Sequence, residues 1–150
     1  MHLGKIIVAI AILIGLILFQ KTKPKILKLF LAVFILNFLS SFFYGDLFFY
    51  FSFLSFGIVV LGYFIYCLYT KNWIPSLISL FALVSFIFKA QHWPYETEIR
   101  TAMVIPIILF LTTLYNFKKY KNQISIITFI VAYEISEIIR LLNYIITANS

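Results

Sequence analysis

Apolar residues run along this chain in long uninterrupted blocks rather than in the spaced stripes of a water-facing helix. About six blocks stand out, over residues 3–19, 26–44, 47–69, 73–88, 101–117 and 124–146, each bounded by a short polar connector. A helix needs roughly 20 residues to cross the ~30 Å hydrocarbon layer of a bilayer, and these blocks approach that length. The connectors, residues 20–25, 45–46, 70–72, 89–100 and 118–123, are short enough to set consecutive helices side by side and antiparallel. The pattern predicts an all-α membrane protein: one polytopic helical bundle of about six transmembrane helices in a single domain, 1–150.

The last block differs from the others. At 100° per residue, Tyr133, Ser136, Glu137, Arg140, Asn143, Tyr144 and Thr147 share about a third of its circumference, and isoleucines and leucines cover the rest. That amphipathicity leaves an alternative open: five spans plus a last helix lying in the interface. If the block spans, Glu134 falls near its middle. A charge there costs about 3 kcal/mol on insertion scales, so it faces the bundle interior and is a candidate for function. Glu137 and Arg140 sit three residues apart and are expected to pair on one face. Glu134, Glu137 and Arg140, with Tyr133 and Asn143, therefore form either an ion- or proton-handling site or a polar seam that docks another subunit.

Composition agrees with lipid as solvent. Apolar residues make up 63 % of the chain and charged residues 11 %, against about 25 % charged in soluble domains. The net charge of +7 is distributed by topology. Placing the N-terminus outside puts Lys21, Lys23, Lys25, Lys28, Lys71, Lys118, Lys119 and Lys121 in the inner loops with no acid among them, while Lys5, Lys89 and Arg100 balance Asp46, Glu96 and Glu98 outside. Anionic headgroups are the expected partner of the basic face, together with other membrane subunits. No nucleic-acid partner is expected, because the lysines are not interleaved with exposed aromatics. Lysines follow the first block and no small-residue cleavage site does, so the block is expected to remain as a helix.

Cys67 is the single cysteine, which excludes an internal disulfide. His92, Glu96 and Glu98 are metal-ligand types, but Pro94 breaks the helical spacing between them, so neither metal nor other cofactor is expected. The connector carrying them reads as a headgroup-level turn, with Lys89 and His92 at the water boundary and Trp93 as anchor. Pro106 is expected to kink the fifth block, and Gly57 and Gly62 to admit a neighbouring helix closely.

The stretch Phe88-Lys89-Ala90-Gln91-His92-Trp93-Pro94 resembles the F-K-x-x-H-W-P motif that ends a membrane helix in GldL-type subunits of the gliding-motility and type 9 secretion motor and in other small membrane proteins of Bacteroidota. The likeness spans about residues 74–117. It implies a bacterial inner-membrane protein whose turn, with Lys89, His92, Trp93 and Pro94, faces the periplasm. The chain departs from the motor subunits in having Tyr95 in place of the usual Gly, no carboxylate in 101–117 and no stalk region, so motor function is not implied. Tyr44-Gly45-Asp46-Leu47 is similar to a motif of lysoplasmalogenase-like membrane hydrolases, whose later acidic motif is missing here. The expectation is thus a non-catalytic accessory or assembly subunit of an inner-membrane complex, with an ion-linked transporter element second and a membrane-embedded hydrolase third.

Overall fold

The computed structural model describes residues 2–40, 42, 46–92 and 96–148. Trp93, Pro94 and Tyr95 of the turn motif and Tyr44-Gly45 lie outside the described residues, as do the side chains of Asp46, Glu96, Arg100, Tyr144 and Thr147. The described residues are helical, without strands, in the order α1 (His2–Phe19), α2 (Lys25–Ser40), α3 (Asp46–Tyr69), α4 (Trp73–Gln91), α5 (Glu96–Ala102), α6 (Val104–Tyr115), the single turn α7 (Phe117–Tyr120) and α8 (Ile124–Ala148). Two of them, over Tyr50–Tyr69 and Trp73–Gln91, are long and apolar enough by themselves to cross a membrane; Leu3–Phe19 and Val104–Tyr115 are apolar but shorter.

The connectors close by local chemistry. Thr22 folds back on α1, its amide and its hydroxyl both donating to the Leu18 carbonyl at 3.0 Å. At the end of α3, Lys71 takes the left-handed conformation (φ 56°), its amide donates to Leu68 O and the Asn72 amide to Cys67 O. That pair of bonds satisfies the last carbonyls of α3 and reverses the chain directly into α4.

Side-chain pairs fix the helix directions. Gly4 faces Ser136 and Gly15 faces Phe129, while Thr22 Oγ1 lies 3.5 Å from Ser125 Oγ, so α1 and α8 run antiparallel. Phe34 and Phe38 meet Phe56 across α2 and α3, with Phe30 against Tyr63, again antiparallel. Phe86 packs against Gly57 and Lys89 lies over Phe53, so α4 runs antiparallel to α3. Ser85 meets Glu134 and Lys89 meets Glu137, so α4 and α8 are parallel. Helix α8 is the hub, packed against α1, α2, α4, α5 and α6. At one end of the assembly the Lys23 amide donates to Asn122 Oδ1 at 3.3 Å, which brings the lysine-bearing 20–25 and 118–123 connectors together.

Three expectations are revised. The fifth block is not one kinked helix: it is interrupted at Met103, between α5 and α6. Pro106 occupies the first turn of α6, where an amide is unneeded, but it has none to give to the Ala102 carbonyl one turn back, and α5 ends there. The 89–100 connector is largely helical, since α4 continues to Gln91 and α5 begins at Glu96. The second helix is described to Ser40, and Phe42 already lies in a turn, its amide donating to Leu39 O at 3.0 Å. Gly57 and Gly62 do admit neighbours, the Phe86 ring of α4 and the Phe30 ring of α2 respectively.

Between these helices the middle of the core is aromatic. Phe34 stacks on Phe129 with centroids 6.0 Å apart, and Phe38 meets the same ring edge-on at 5.0 Å. Leu27, Leu31, Val60, Tyr63, Ile78, Ile126, Ile127 and Ile130 are buried around them.

Candidate functional site

Three turns of α8 carry the polar side chains that its hub position turns inward. Glu134 is completely buried, and Ser136 and Glu137 are nearly so. Because α4 runs parallel beside α8, residues four apart on α4 meet residues three apart on α8. Ser85 Oγ accordingly donates to Glu134 Oε2 at 3.3 Å, and one turn on Lys89 Nζ lies 2.8 Å from Glu137 Oε2. Lys89 also donates to the Tyr133 hydroxyl at 3.2 Å and sits over the rings of Tyr133 and Phe53, 5.4 and 5.7 Å from their centroids. Arg140 Nη1 closes the set from the open side, donating to Glu137 Oε1 at 2.9 Å.

Exposure grades along this set. The Glu137 side chain is 6 % exposed, Lys89 21 % and Arg140 62 %. A single enclosed carboxylate is thus held by two cations, one drawn into the bundle and one at its rim. The Lys89–Glu137 pair is the enclosed one: with both partners present desolvation is roughly offset, and removal of Lys89 costs about 3–5 kcal/mol.

The set borders a cavity of about 90 Å³ that α1, α2, α3, α4 and α8 all help to line. Asn37 contributes an amide, Ser52 and Ser136 hydroxyls, and Phe38, Phe53 and Phe56 an apolar floor. The Asn37 side-chain nitrogen is buried without a hydrogen-bond partner. Ser40 donates to the Asn37 carbonyl at 2.8 Å and is paired with Ser52 across α2 and α3.

Sequence-derived candidates are placed as follows. Tyr133, Glu137 and Arg140 come together, with Glu134 one turn deeper, and the expected Glu137–Arg140 pair forms. Asn143 lies exposed beyond the cluster. Lys89 lies in the last turn of α4 rather than in a connector, and its ammonium meets Glu137 and Tyr133 of α8. His92 is exposed and caps α4 in the left-handed conformation (φ 48°), its amide bonding to the α4 carbonyls. Among the described residues no three His, Cys, Asp or Glu side chains come together as a metal site. The pairing of Lys89 with Glu137 and the place of Asn37 in the cavity were not legible. The one available signal was arithmetic: the last block holds two carboxylates and one cation, which leaves an acid seeking a base elsewhere.

No protein-family model, curated protein or solved structure matches this chain.

Proposed function

We propose that this chain is a six-span bacterial inner-membrane protein, with its N-terminus on the periplasmic side, that acts without catalysis as a subunit of a larger membrane assembly. The observation that carries the reading is an inversion of polarity. Outward faces are apolar stripes, as in Leu3, Ile6, Ile10, Leu13 and Ile17 of α1 and Phe51, Leu54, Ile58, Leu61, Ile65 and Leu68 of α3, while the carboxylates of α8 are enclosed. Water disfavours such a surface over this area, and hydrocarbon accepts it. Counting 1.5 Å per residue from Ile124, Glu134 lies ~15 Å and Arg140 ~24 Å into α8, and Lys89 lies ~24 Å from Trp73 along α4. A layer ~30 Å deep would hold the Lys89–Glu137–Arg140 set in its outer half and the grouped lysines at the inner headgroups. The enclosure of residues 124–137 on several sides supports a spanning α8 over an interfacial one.

The cluster has the geometry of a brace, one carboxylate saturated by two cations, which favours a structural or assembly role. A second reading, a proton- or ion-linked element, draws on the convergence of five helices at one polar cavity. Against it, the buried polar groups described between Glu134 and the lysine-bearing end, among them Thr22, Ser76, Ser79, Thr113 and Ser125, are neutral hydroxyls, and those of Thr22, Ser79 and Thr113 are bonded back to carbonyls of α1, α4 and α6 respectively.

Orientation is tested by cysteine labelling in a Cys67→Ser background. With the outer membrane permeabilised, Glu98→Cys should react with an impermeant maleimide in intact cells, and Lys21→Cys, Lys71→Cys and Lys118→Cys only after lysis; the reverse pattern overturns the orientation. Extraction in mild detergent should recover fixed partners on a native gel, and a clean monomer would overturn the subunit role. In proteoliposomes the protein should carry no proton flux above protein-free vesicles. Flux abolished by Glu134→Gln and Glu137→Gln would establish the ion-linked reading instead.

A further inference from the structure

The cavity beside the charged set has donors to spare. Both oxygens of Glu137, its carboxylate, are engaged, one by Lys89 and one by Arg140, so two positive charges face the cavity against one negative. Arg140 uses Nη1 on Glu137, and a guanidinium has five N–H donors in a fixed fork. Asn37 adds a buried amide nitrogen without a partner, and the Ser136 hydroxyl lines the same wall. A buried donor left unpaired is costly, so a site of this kind is stabilised by an acceptor. Phe53 and Phe56 line the same cavity and give it an apolar floor. Access is from the rim, where Arg140 is most exposed.

We propose that this cavity binds a singly charged oxyanion group, held by Arg140, Lys89 and the Asn37 amide, with any short apolar body laid on the phenylalanines. A volume of about 90 Å³ admits a carboxylate or a phosphate group and excludes a large solute. The same chemistry is offered by a free small acid and by the phosphodiester of a lipid headgroup reaching in past Arg140. The inference stands apart from the subunit role: loss of partners leaves it untouched, and loss of the ligand leaves partner recovery untouched.

The full chain is reconstituted into nanodiscs of zwitterionic lipid, and its thermal unfolding is followed while acetate, butyrate or inorganic phosphate replaces chloride at constant ionic strength. A parallel set of nanodiscs contains anionic phospholipid, with native mass spectrometry to detect retained lipid. A saturable rise in Tm with the small acids or phosphate assigns a free oxyanion. A response confined to the anionic-lipid discs, with a lipid retained, assigns a headgroup. In either case Arg140→Gln and Asn37→Leu should weaken binding about tenfold or more, and Arg140→Lys, which keeps charge but not the fork, should recover only part. Arg140 lies at the rim, so Arg140→Gln is expected to fold; should it not, Asn37→Leu, which removes a donor without a partner, decides. No response in either set, or a response unchanged in Asn37→Leu, overturns the proposal.

Discussion

Lys89 lies in the last turn of α4, and its ammonium is 2.8 Å from Glu137 of α8. The balance between its two partners and those of Arg140 gives different expectations for the two cations. Lys89→Met leaves a nearly buried carboxylate with only its rim partner and should destabilise the protein by about 3–5 kcal/mol, read by thermal unfolding in detergent. Adding Glu137→Leu to Lys89→Met removes the stranded charge and should restore most of that loss; if the double variant is no better than the single one, the pair is not the source of the effect. Arg140→Gln breaks an i,i+3 pair whose cationic partner is mostly solvated, so the change should stay within about 1 kcal/mol.

At the scale of helices, close approach decides what packs on what. The Phe129 ring of α8 is seated against Gly15 of α1, in space that a Cβ would occupy. Gly15→Ala should therefore push the two helices apart and destabilise by about 1–3 kcal/mol, whereas Leu13→Ala on the outward face of the same helix should leave Tm nearly unchanged. Equal effects at the two positions would remove the packing explanation. The break between α5 and α6 belongs to this scale as well. Its cause, Pro106, was visible in the sequence, but an apolar run alone does not reveal whether such a proline bends a helix or ends one a turn earlier.

For the whole molecule, the distribution of polarity governs how it behaves outside its native solvent. With apolar stripes outward on α1, α3 and α6 and charges within, the protein should stay in the membrane pellet through high-salt and alkaline washes and leave it only with detergent. Material that remains monodisperse in buffer without surfactant would contradict a lipid-facing surface. The lysine-bearing connectors lie together at one end through the Lys23–Asn122 bond, so the asymmetry of charge derived from loop positions is also an asymmetry in space.

What the sequence determined by itself is largely periodic and local: where the helices run outside the fifth block to within a few residues, that those before the last are apolar nearly all round, that Glu137 and Arg140 pair at i,i+3, and that the cations gather in alternate connectors. Each follows from neighbours along the chain. Only the tertiary structure decided that α8 would be the hub, that Lys89 would meet Glu137, that Ser85 would bond Glu134, and that Asn37 would line a cavity with Lys89 and Glu137. Those contacts join residues far apart in sequence, and which apolar face turns inward is settled by packing of the other helices against glycines and rings. Hydrophobic pattern cannot encode that choice when nearly every face of every helix is apolar.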